Sequence, residues 1–288
     1  PQTLDALRSL IPLAPNHLPA EIATIEAVSA AWPTIPQVAC FDIAFHATMP
    51  AVAQRFALPR RFYEGGVRRY GFHGISYASI CDHLISQEGP TALAGRTIIA
   101  HLGSGASMVA LLDGQSVDTT MGLTPFGGLV MSTRSGDLDP GVLIYLARQQ
   151  SLAPDALETL VSEQSGMLGL SAVSGDMQEL LAREQSDPRC AEALESFCYA
   201  ARKTLGALTV ALGGLDRLIF TGGIGEHAAT IRERICDNLG FLGIELDADR
   251  NARHASIISP VGGPVTVRVI PTNEEAMIAR YTAEALQL

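Results

Sequence analysis

The first candidate for a functional residue in this 288-residue chain is a histidine that lies between two glycines, shortly after a pair of arginines. In the segment RRYGFHGIS (residues 68–76), Gly71 and Gly74 allow the backbone to bend sharply or to approach a bulky group closely. A neutral imidazole donates one hydrogen bond and an imidazolium donates two, so His73 could bind an anion. A turn with a hydrogen-bonded structural histidine is an equally good interpretation of this segment alone.

An arginine without a structural task is the second candidate. Arg134 lies in the segment STRSGDLDPGVL, ahead of a helix whose N-cap and first position are predicted at Asp139 and Pro140. Those two residues therefore have a structural explanation, whereas Arg134 lies in the glycine- and serine-bearing loop before them. A guanidinium in such a loop can hold a phosphoryl group through two parallel hydrogen bonds.

Two glycine-bearing turns each follow an apolar strand. They are HLGSGAS (residues 101–107) and FTGGIGEH (residues 220–227), and the second opens a helix, whose free N–H groups attract anions. Either turn alone is a weak signal, because many turns use glycine for geometry. Together they predict two walls of one nucleotide cleft.

Two carboxylates are candidates for a site that holds a divalent cation. Asp42 is predicted near the end of a buried strand, QVACFDIAFH, where an idle carboxylate would be costly and where α/β folds line their clefts. In the segment PTNEEAMIAR, a capping box of Thr272 and Glu275 would leave Glu274 free to bind a hard cation such as Mg²⁺. A solvated first-turn glutamate, favoured by the helix dipole, is the alternative for Glu274.

The elements that must position these groups alternate between helix and strand, which indicates an α/β protein. A β-hairpin is predicted at 97–102 and 107–112, with a third strand after the turn at Asp113-Gly114. A loop is predicted from Met49 to about Gly74. The other predicted elements are two helices before residue 33, helices over 75–84, 140–148, 153–163, 177–183 and 191–214, a strand before residue 221, a helix ending at Gly240, a strand over 265–270 and a closing helix.

Composition narrows the class of protein. Hydrophobic residues make up 47% of the chain and charged residues 17%, so we expect a globular protein with a large core. The net charge of −10 argues against nucleic-acid binding, for which a basic surface is typical. Five cysteines without a C-x-x-C pair predict reduced thiols in a cytoplasmic protein. We find no long apolar run or signal peptide and expect no membrane partner.

Taken together, the segments resemble the acetate kinase family, within the acetate and propionate kinases. The matching pieces are CFDIAFHATMP, RRYGFHGIS, AHLGSGAS, TMGLTPFGGLVMSTRSGDLDPG, SGMLGLSAVSGDM, FTGGIGEHAATIR…FLGIELD and VIPTNEEAMIAR, in the family's order and along almost the whole chain. The resemblance implies an actin-like (ribonuclease H-like) two-domain α/β fold, shared with sugar kinases, that encloses ATP and Mg²⁺. It implies reversible in-line transfer of the γ-phosphoryl group of ATP to acetate, which gives acetyl phosphate and ADP.

The resemblance also implies roles for individual residues. Asp42, His73 and Arg134 would be catalytic, and the last two would stabilise the phosphoryl group in transfer. Phe72 and Pro125 would line the pocket for the acyl methyl group. Glu274 would bind Mg²⁺, and ATP would be held by His101, Leu102, Gly103, Ser104, Gly105, Asp176, Met177, Gln178, Gly223, Ile224, Gly225, Glu226 and His227.

The chemistry explains which residue types are needed. A small carboxylate has an ordinary pKa near that of glutamate, about 4.3, so it is an ionised nucleophile at neutral pH. No general base is required, and we expect Asp42 to orient an arginine or water around Mg²⁺. The site must instead bring one anion to another, which requires cations and hydrogen-bond donors.

The sequence departs from the family's pattern at its beginning. We find neither the opening strand with its Asn-Gly-Ser-Ser-Ser-type phosphate loop nor the later segment with a substrate arginine. Residues 1–45 and 273–288 would be the remnant of an incomplete N-terminal domain, and 46–272 a second α/β domain. A further segment would cover the apolar surface of that remnant. His17 could be structural or functional, and the residues that differ from the family's usual ones are Asn16, Ser104, Gly127, Ser132 and Gln178.

Several functions therefore stay open at this point. Acetate kinase is the leading one, and propionate kinase differs by about one methylene in the pocket, worth only about 1–3 kcal/mol. A catalytically incomplete nucleotide-binding fragment is the second class, because the phosphate loop and substrate arginine are not found. An actin-like scaffold would bind ATP regardless of Arg134. Members of the family are commonly dimers, so we expect a homodimer.

Overall fold

Helices and strands alternate along the chain, as the sequence predicts. The computed structural model describes residues 2–11 and 18–287, so Asn16 and His17 lie outside the described residues. The described helices are α1 (Gln2–Ser9), α2 (Leu18–Ala31), α3 (Ala51–Gln54), α4 (Arg60–Glu64), α5 (Gly74–Glu88), α6 (Pro140–Gln150), α7 (Pro154–Glu163), α8 (Gly166–Ser171), α9 (Met177–Arg183), α10 (Pro188–Leu212), α11 (Gly222–His227), α12 (Ala229–Cys236), α13 (Ala248–Ala252) and α14 (Glu274–Leu286). The described strands are β1 (Arg96–Leu102), β2 (Ala106–Leu112), β3 (Gln115–Thr119), β4 (Arg217–Thr221) and β5 (Thr266–Val269).

One mixed sheet of five strands organises the described residues, in the order β3-β2-β1-β4-β5. The first three strands form the predicted antiparallel hairpins, while β4 runs parallel to β1 and to β5. In this register His101 lies beside Thr221 on β4 and opposite Ser107 on β2. The two predicted glycine turns therefore start from neighbouring strand ends, at the same edge of the sheet.

Layers of helices cover both faces of the sheet. Because side chains alternate along a strand, Ile98 of β1 packs into the larger core, to which α10 and α12 contribute. Its neighbour Ile99 packs with Tyr77 and Ile80 of α5 on the opposite face. The same alternation places His101 on the face that α5 covers. This face carries the site described below.

The strand predicted through Asp42 is wrong. Residues 42–48 form a 3-10 helix (Asp42–Thr48), in which the N–H of Met49 donates to the carbonyl of His46 at 3.1 Å. A strand needs a neighbour for its backbone N–H and C=O groups, and in the described ranges no strand pairs with this segment. Local turns satisfy its backbone groups instead.

Smaller differences concern helix ends. Asn273 caps α14, because its side chain accepts a hydrogen bond from the N–H of Ala276 at 3.0 Å. The Thr272 hydroxyl instead donates to Ser76 at 2.9 Å, so the predicted capping box is wrong. The predicted loop after Met49 contains α3 and α4. The helix predicted to end at Gly240 is divided into α11 and α12, and a short 3-10 helix (Gly240–Leu242) follows them.

Other boundaries agree with the sequence. Asp139 caps α6 as predicted and accepts from the N–H of Gly141 at 3.0 Å. Among the described residues, we find no helix with the length and apolar character needed to cross a bilayer. The division into an N-terminal remnant (1–45 and 273–288) and a second domain (46–272) stays a prediction.

We predict opposite effects for two glycine-to-alanine substitutions. A Cβ atom on Gly74 would lie 1.9 Å from the carbonyl oxygen of Asp42 and 2.6 Å from Cβ of Phe45, so Gly74→Ala should lower the free energy of unfolding by about 1–3 kcal/mol. A Cβ atom on Gly206, inside α10, meets nothing within 4 Å. Gly206→Ala should therefore raise that free energy by up to about 1 kcal/mol. Urea unfolding measures both, and equal changes would contradict this packing.

Candidate functional site

A cavity of about 440 Å³ lies at the N-terminal end of α5. All five residues predicted as catalytic or substrate-binding line it: Asp42, Phe72, His73, Pro125 and Arg134. They come from segments far apart in the sequence, so the fold brings them together. Leucines from the N-terminal segment line the cavity as well, namely Leu7, Leu10 and Leu18.

The carboxylate of Asp42 binds the beginning of α5. One oxygen accepts a hydrogen bond from the N–H of His73 at 2.7 Å, and the other accepts from the N–H of Ile75 at 2.9 Å. The first N–H groups of a helix have no partner inside the helix, so this carboxylate satisfies two of them. Asp42 therefore positions His73, whose backbone is in the left-handed region with φ +58°.

The glycines around His73 are required by packing. Gly71 has φ +76°, and a Cβ atom there would lie 2.5 Å from the ring of His46. The buried His46 donates from Nε2 to the carbonyl oxygen of Phe72 at 3.0 Å and bonds Ser116 through Nδ1 at 3.0 Å. The peptide between Phe72 and His73 is thus held at its C=O by His46 and at its N–H by Asp42. No sequence motif predicts this role of His46.

His73 and His101 lie face to face, with ring centroids 4.3 Å apart. Nδ1 of His73 bonds the hydroxyl of Ser107 at 2.8 Å, and Nδ1 of His101 bonds the hydroxyl of Ser76 at 2.8 Å. Burial and the nearby Arg134 charge lower the pKa of His73 to about 4. Burial and His73 lower the pKa of His101 to about 3. Both rings are therefore neutral at pH 7, and His73 acts as a hydrogen-bond donor without a positive charge.

Arg134 supplies the positive charge beside these rings. Its guanidinium donates from Nη1 to the carbonyl oxygen of Pro125 at 3.3 Å, and in the described part of the chain no carboxylate pairs with it. A Cβ atom on Gly105 would lie 3.1 Å from Nε2 of His73 and 3.6 Å from Nη1 of Arg134. The arginine and the histidine thus meet over the first glycine turn, with room there because residue 105 is glycine.

The second glycine turn forms the neighbouring wall. It is folded as the short helix α11, in which Gly223 and His227 are exposed and a Cβ atom on Gly223 would meet nothing within 4 Å. Glu226 is turned inward, because its carboxylate accepts from the N–H groups of Gly222 at 2.9 Å and Thr272 at 3.2 Å. Its carboxylate therefore joins this turn to the start of α14.

The remaining residues predicted to bind ATP differ in what they can offer. Leu102 and Met177 are buried in the larger core, so only their backbone atoms can reach a ligand. Asp176 and Gln178 are exposed at the start of α9, and Asp176 caps that helix by accepting from the N–H of Glu179 at 2.9 Å. Ile224 is half-buried against the core.

Ser132 connects three parts of the cleft. Its N–H donates to the carbonyl of Ser104 at 3.0 Å, and its hydroxyl donates to the carbonyl of Gly175 at 2.7 Å. It lies two residues before Arg134. The first glycine turn, the arginine loop and the start of α9 are thereby fixed relative to one another.

Arg232 of α12 was missed by the sequence reasoning. The side chain is fully buried, and burial lowers its pKa to about 10. It donates to the carbonyls of Gly225 and Glu226 at 2.9 Å each and to Asn251 and His254 of the α13 region. A buried arginine on a short polar helix has no signature in sequence, yet this one holds the second glycine turn in place.

Glu274 has the environment that a cation would suit. Burial first, and then the charge of Asp42, raise the pKa of its half-buried carboxyl group. We find no hydrogen bond to its side chain from the described residues. The same residues contain no cluster of three or more metal-ligating side chains, but Mg²⁺ often uses one or two carboxylates with waters and phosphates. The residues present therefore fit Mg²⁺.

Comparison with known proteins identifies the family of the chain. Residues 1–280 match the Acetokinase family. The chain belongs to that family. The acetate kinase of Rhodopseudomonas palustris is 48% identical over 283 residues, which make up 98% of this chain and 71% of that relative. This confirms the predicted family and its enzyme class, a phosphotransferase that uses ATP.

Solved structures of the acetokinase family confirm the predicted α/β fold. The acetate kinase of Porphyromonas gingivalis superposes with a TM-score of 0.91 at 40% identity, over 99% of this chain and 73% of that one. A propionate kinase from Francisella tularensis gives a TM-score of 0.90 at 37% identity, over 97% and 72%. This chain thus spans about seven tenths of the length of these relatives.

The neutral histidines predict how stability depends on pH. A pKa lowered from about 6.5 to about 4 means that the unfolded chain binds more protons than the folded chain between those pH values. The free energy of unfolding should therefore not depend on this ring above pH 6.5, and it should decrease as the pH is lowered from 6.5 towards 4.

Urea unfolding at several pH values tests this expectation. His73→Gln should show a smaller decrease than the wild type, whereas His83→Gln, on the exposed side of α5, should keep the wild-type decrease. Identical pH dependence in the wild type and His73→Gln would show that His73 is not held neutral by the fold.

Proposed function

We propose that the chain transfers the γ-phosphoryl group of ATP reversibly to acetate, giving acetyl phosphate and ADP. One observation carries this proposal: Arg134 faces the cavity without a carboxylate partner among the described residues, beside the neutral donor His73 and over Gly105. An unneutralised, half-buried guanidinium suits an anion. Family membership and the acetate kinase relatives support the same activity.

The reaction is in-line transfer between two anions. Acetate is ionised at neutral pH, so the site need not remove a proton. Asp42 is unsuited to act as a base, since both of its oxygens accept backbone hydrogen bonds. Arg134 neutralises charge that develops on the transferred group, and His73 donates a hydrogen bond to it without adding a charge that would need its own counter-ion.

Different parts of the cleft suit the two substrates. Phe72 and Pro125 lie on the cavity side with the leucines of the N-terminal segment and suit the methyl group of acetate. The glycine turn after β1 and helix α11 after β4 suit the phosphates and the nucleoside, with Asp176 and Gln178 exposed at the adenosine side. Acetate and ATP then meet at Arg134.

Mg²⁺ is the cofactor that we propose. Glu274 would hold it, with Asp42 nearby to orient water in its shell. When bound, the ion neutralises charge on the β- and γ-phosphates. It would also compensate for the unfavourable burial of the charged Glu274 carboxylate.

Propionate kinase is the second candidate, favoured by the likeness to the Francisella tularensis structure. The apolar side of the cavity includes several leucines besides Phe72 and Pro125, and one added methylene changes binding by only about 1–3 kcal/mol. A nucleotide-binding fragment without catalysis is the third, since the chain spans 71% of the Rhodopseudomonas palustris relative. Activity of this chain alone distinguishes the third from the other two.

We further propose a cytoplasmic homodimer. All five cysteines are free thiols and four of them are buried, which suits a reducing compartment. Helix α6 and the residue before its cap expose large apolar side chains that a second copy could cover. These side chains are Leu138, Val142, Ile144 and Tyr145.

Replacement of Arg134 tests the proposed activity. Acetyl phosphate, trapped as the hydroxamate, should form with the wild type in the presence of acetate, ATP and Mg²⁺. Arg134→Ala should lower kcat by about 10²–10³-fold, the cost of losing one preorganised group at the transition state. Arg134→Lys should recover only part of that loss, because an ammonium group cannot form the bidentate contact.

Arg253→Ala is the matched control, because this exposed arginine of the α13 region makes one local bond to the carbonyl of Asp249. It should keep wild-type kcat. The proposal is wrong if Arg134→Ala keeps kcat within twofold of the wild type, and the fragment interpretation holds if the wild type forms no acetyl phosphate while binding ATP.

A further inference from the structure

Two chains of hydroxyl groups lead to the stacked imidazoles. In the first, the phenol of Tyr77 bonds the hydroxyl of Ser107, which bonds Nδ1 of His73 at 2.8 Å. In the second, the hydroxyl of Thr272 donates to Ser76 at 2.9 Å, and Ser76 bonds Nδ1 of His101 at 2.8 Å.

The fold explains why both chains exist. His101 and Ser107 are direct partners on β1 and β2 and face the side of the sheet that α5 covers. Ser76 and Tyr77 lie in the first turn of α5. One turn of helix placed on one pair of facing strand residues therefore supplies a hydroxyl to each histidine.

The hydrogen bonds of the first chain can donate in only one direction if every proton is to have an acceptor. Tyr77 and Ser107 are both fully buried, and the phenol has no described partner other than Ser107. If Nδ1 of His73 carried the proton, it would donate to Ser107, and one of the two hydroxyl protons would then lack an acceptor. An unsatisfied buried donor is unfavourable. Every proton finds an acceptor only when Tyr77 donates to Ser107 and Ser107 donates to Nδ1.

The second chain has the same direction. Because the Thr272 hydroxyl donates to Ser76, the single proton of the fully buried Ser76 is available for Nδ1 of His101. In both rings Nδ1 is thus an acceptor. A neutral imidazole then carries its proton on Nε2, and burial keeps both rings neutral.

Both Nε2 atoms lie at the first glycine turn. A Cβ atom on Gly105 would lie 3.1 Å from Nε2 of His73, and one on Gly103 would lie 3.7 Å from Nε2 of His101. The two N–H groups therefore reach the same three-residue turn, where the proposed function places phosphate oxygens.

We propose that Tyr77 and Ser107, and likewise Thr272 and Ser76, are positioning residues that fix His73 and His101 as Nε2–H donors to the phosphate chain. This inference rests on the proposed function for what the donors bind. The tautomers themselves belong to the protein without substrate. Each hydroxyl acts through its histidine and touches no reacting atom.

Nitrogen NMR of the protein labelled with ¹⁵N-histidine tests the tautomers directly. Signals of the two rings are assigned by their loss in His73→Gln and His101→Gln. At neutral pH both rings should show an unprotonated Nδ1 and a protonated Nε2. A proton on Nδ1 of either ring overturns the proposal for that chain.

Conservative variants test the link to catalysis. Tyr77→Phe should alter the nitrogen signals of His73 and leave those of His101 unchanged, while Thr272→Val should do the reverse. Each should lower kcat roughly tenfold, about 1.4 kcal/mol, with KM for acetate nearly unchanged. Thr272→Ser keeps the hydroxyl and should restore both the signals and kcat. Thr209→Val removes a buried hydroxyl that donates within α10 and should leave both histidines as in the wild type.

The outcomes distinguish the positioning role of the hydroxyls from the proposed function. A fall in kcat without any change in the histidine signals would mean that these hydroxyls act only on general stability, and the positioning role would be refuted. Wild-type tautomers as expected, in a protein that forms no acetyl phosphate, would refute the proposed function and leave the two chains established.

Discussion

The bond between the Asp42 carboxylate and the beginning of α5 is the interaction on which the rest of the site depends. It holds the N–H groups of His73 and Ile75 and thereby sets the direction of the first turn of α5. That turn carries Ser76 and Tyr77, which reach the facing strand residues. Without this cap, the left-handed backbone of His73 would be strained without compensation, and neither hydroxyl chain would be in register.

The cleft combines one charged arginine with neutral hydrogen-bond donors. Among the described residues that line the cavity, Arg134 is the cation, and the histidines next to it are held neutral by burial. A second fixed cation in contact with Arg134 would raise the energy of the free protein through like-charge repulsion. Neutral donors instead strengthen binding of a phosphoryl group without that cost. The proposed Mg²⁺ ion at Glu274, whose carboxyl pKa is raised by burial, would supply the remaining charge.

The sequence predicted local features well and long-range partners poorly. The cap at Asp139 and the glycine turn after β1 depend on neighbouring residues, and both appear where predicted. The glycines after β4 form the short helix α11 in place of the predicted turn. The sequence predicts a strand at Asp42, where the structure has a 3-10 helix, because a short apolar run does not distinguish a buried strand from a tight helix. The contact of Tyr77 with Ser107 joins residues thirty positions apart, and no local pattern predicts it. Arginine is rarely buried, so the sequence around Arg232 predicts a solvent-exposed helix face instead of a buried charge.

We propose that Arg134 and His73 together hold the phosphoryl group as it passes between two anions. A crystal structure with ADP, Mg²⁺, acetate and a planar fluoride mimic of the phosphoryl group tests it most directly. The guanidinium of Arg134 and Nε2 of His73 should both lie within about 3.2 Å of the mimic. A mimic bound in the cleft with both side chains directed away from it would show that these two residues do not hold the phosphoryl group.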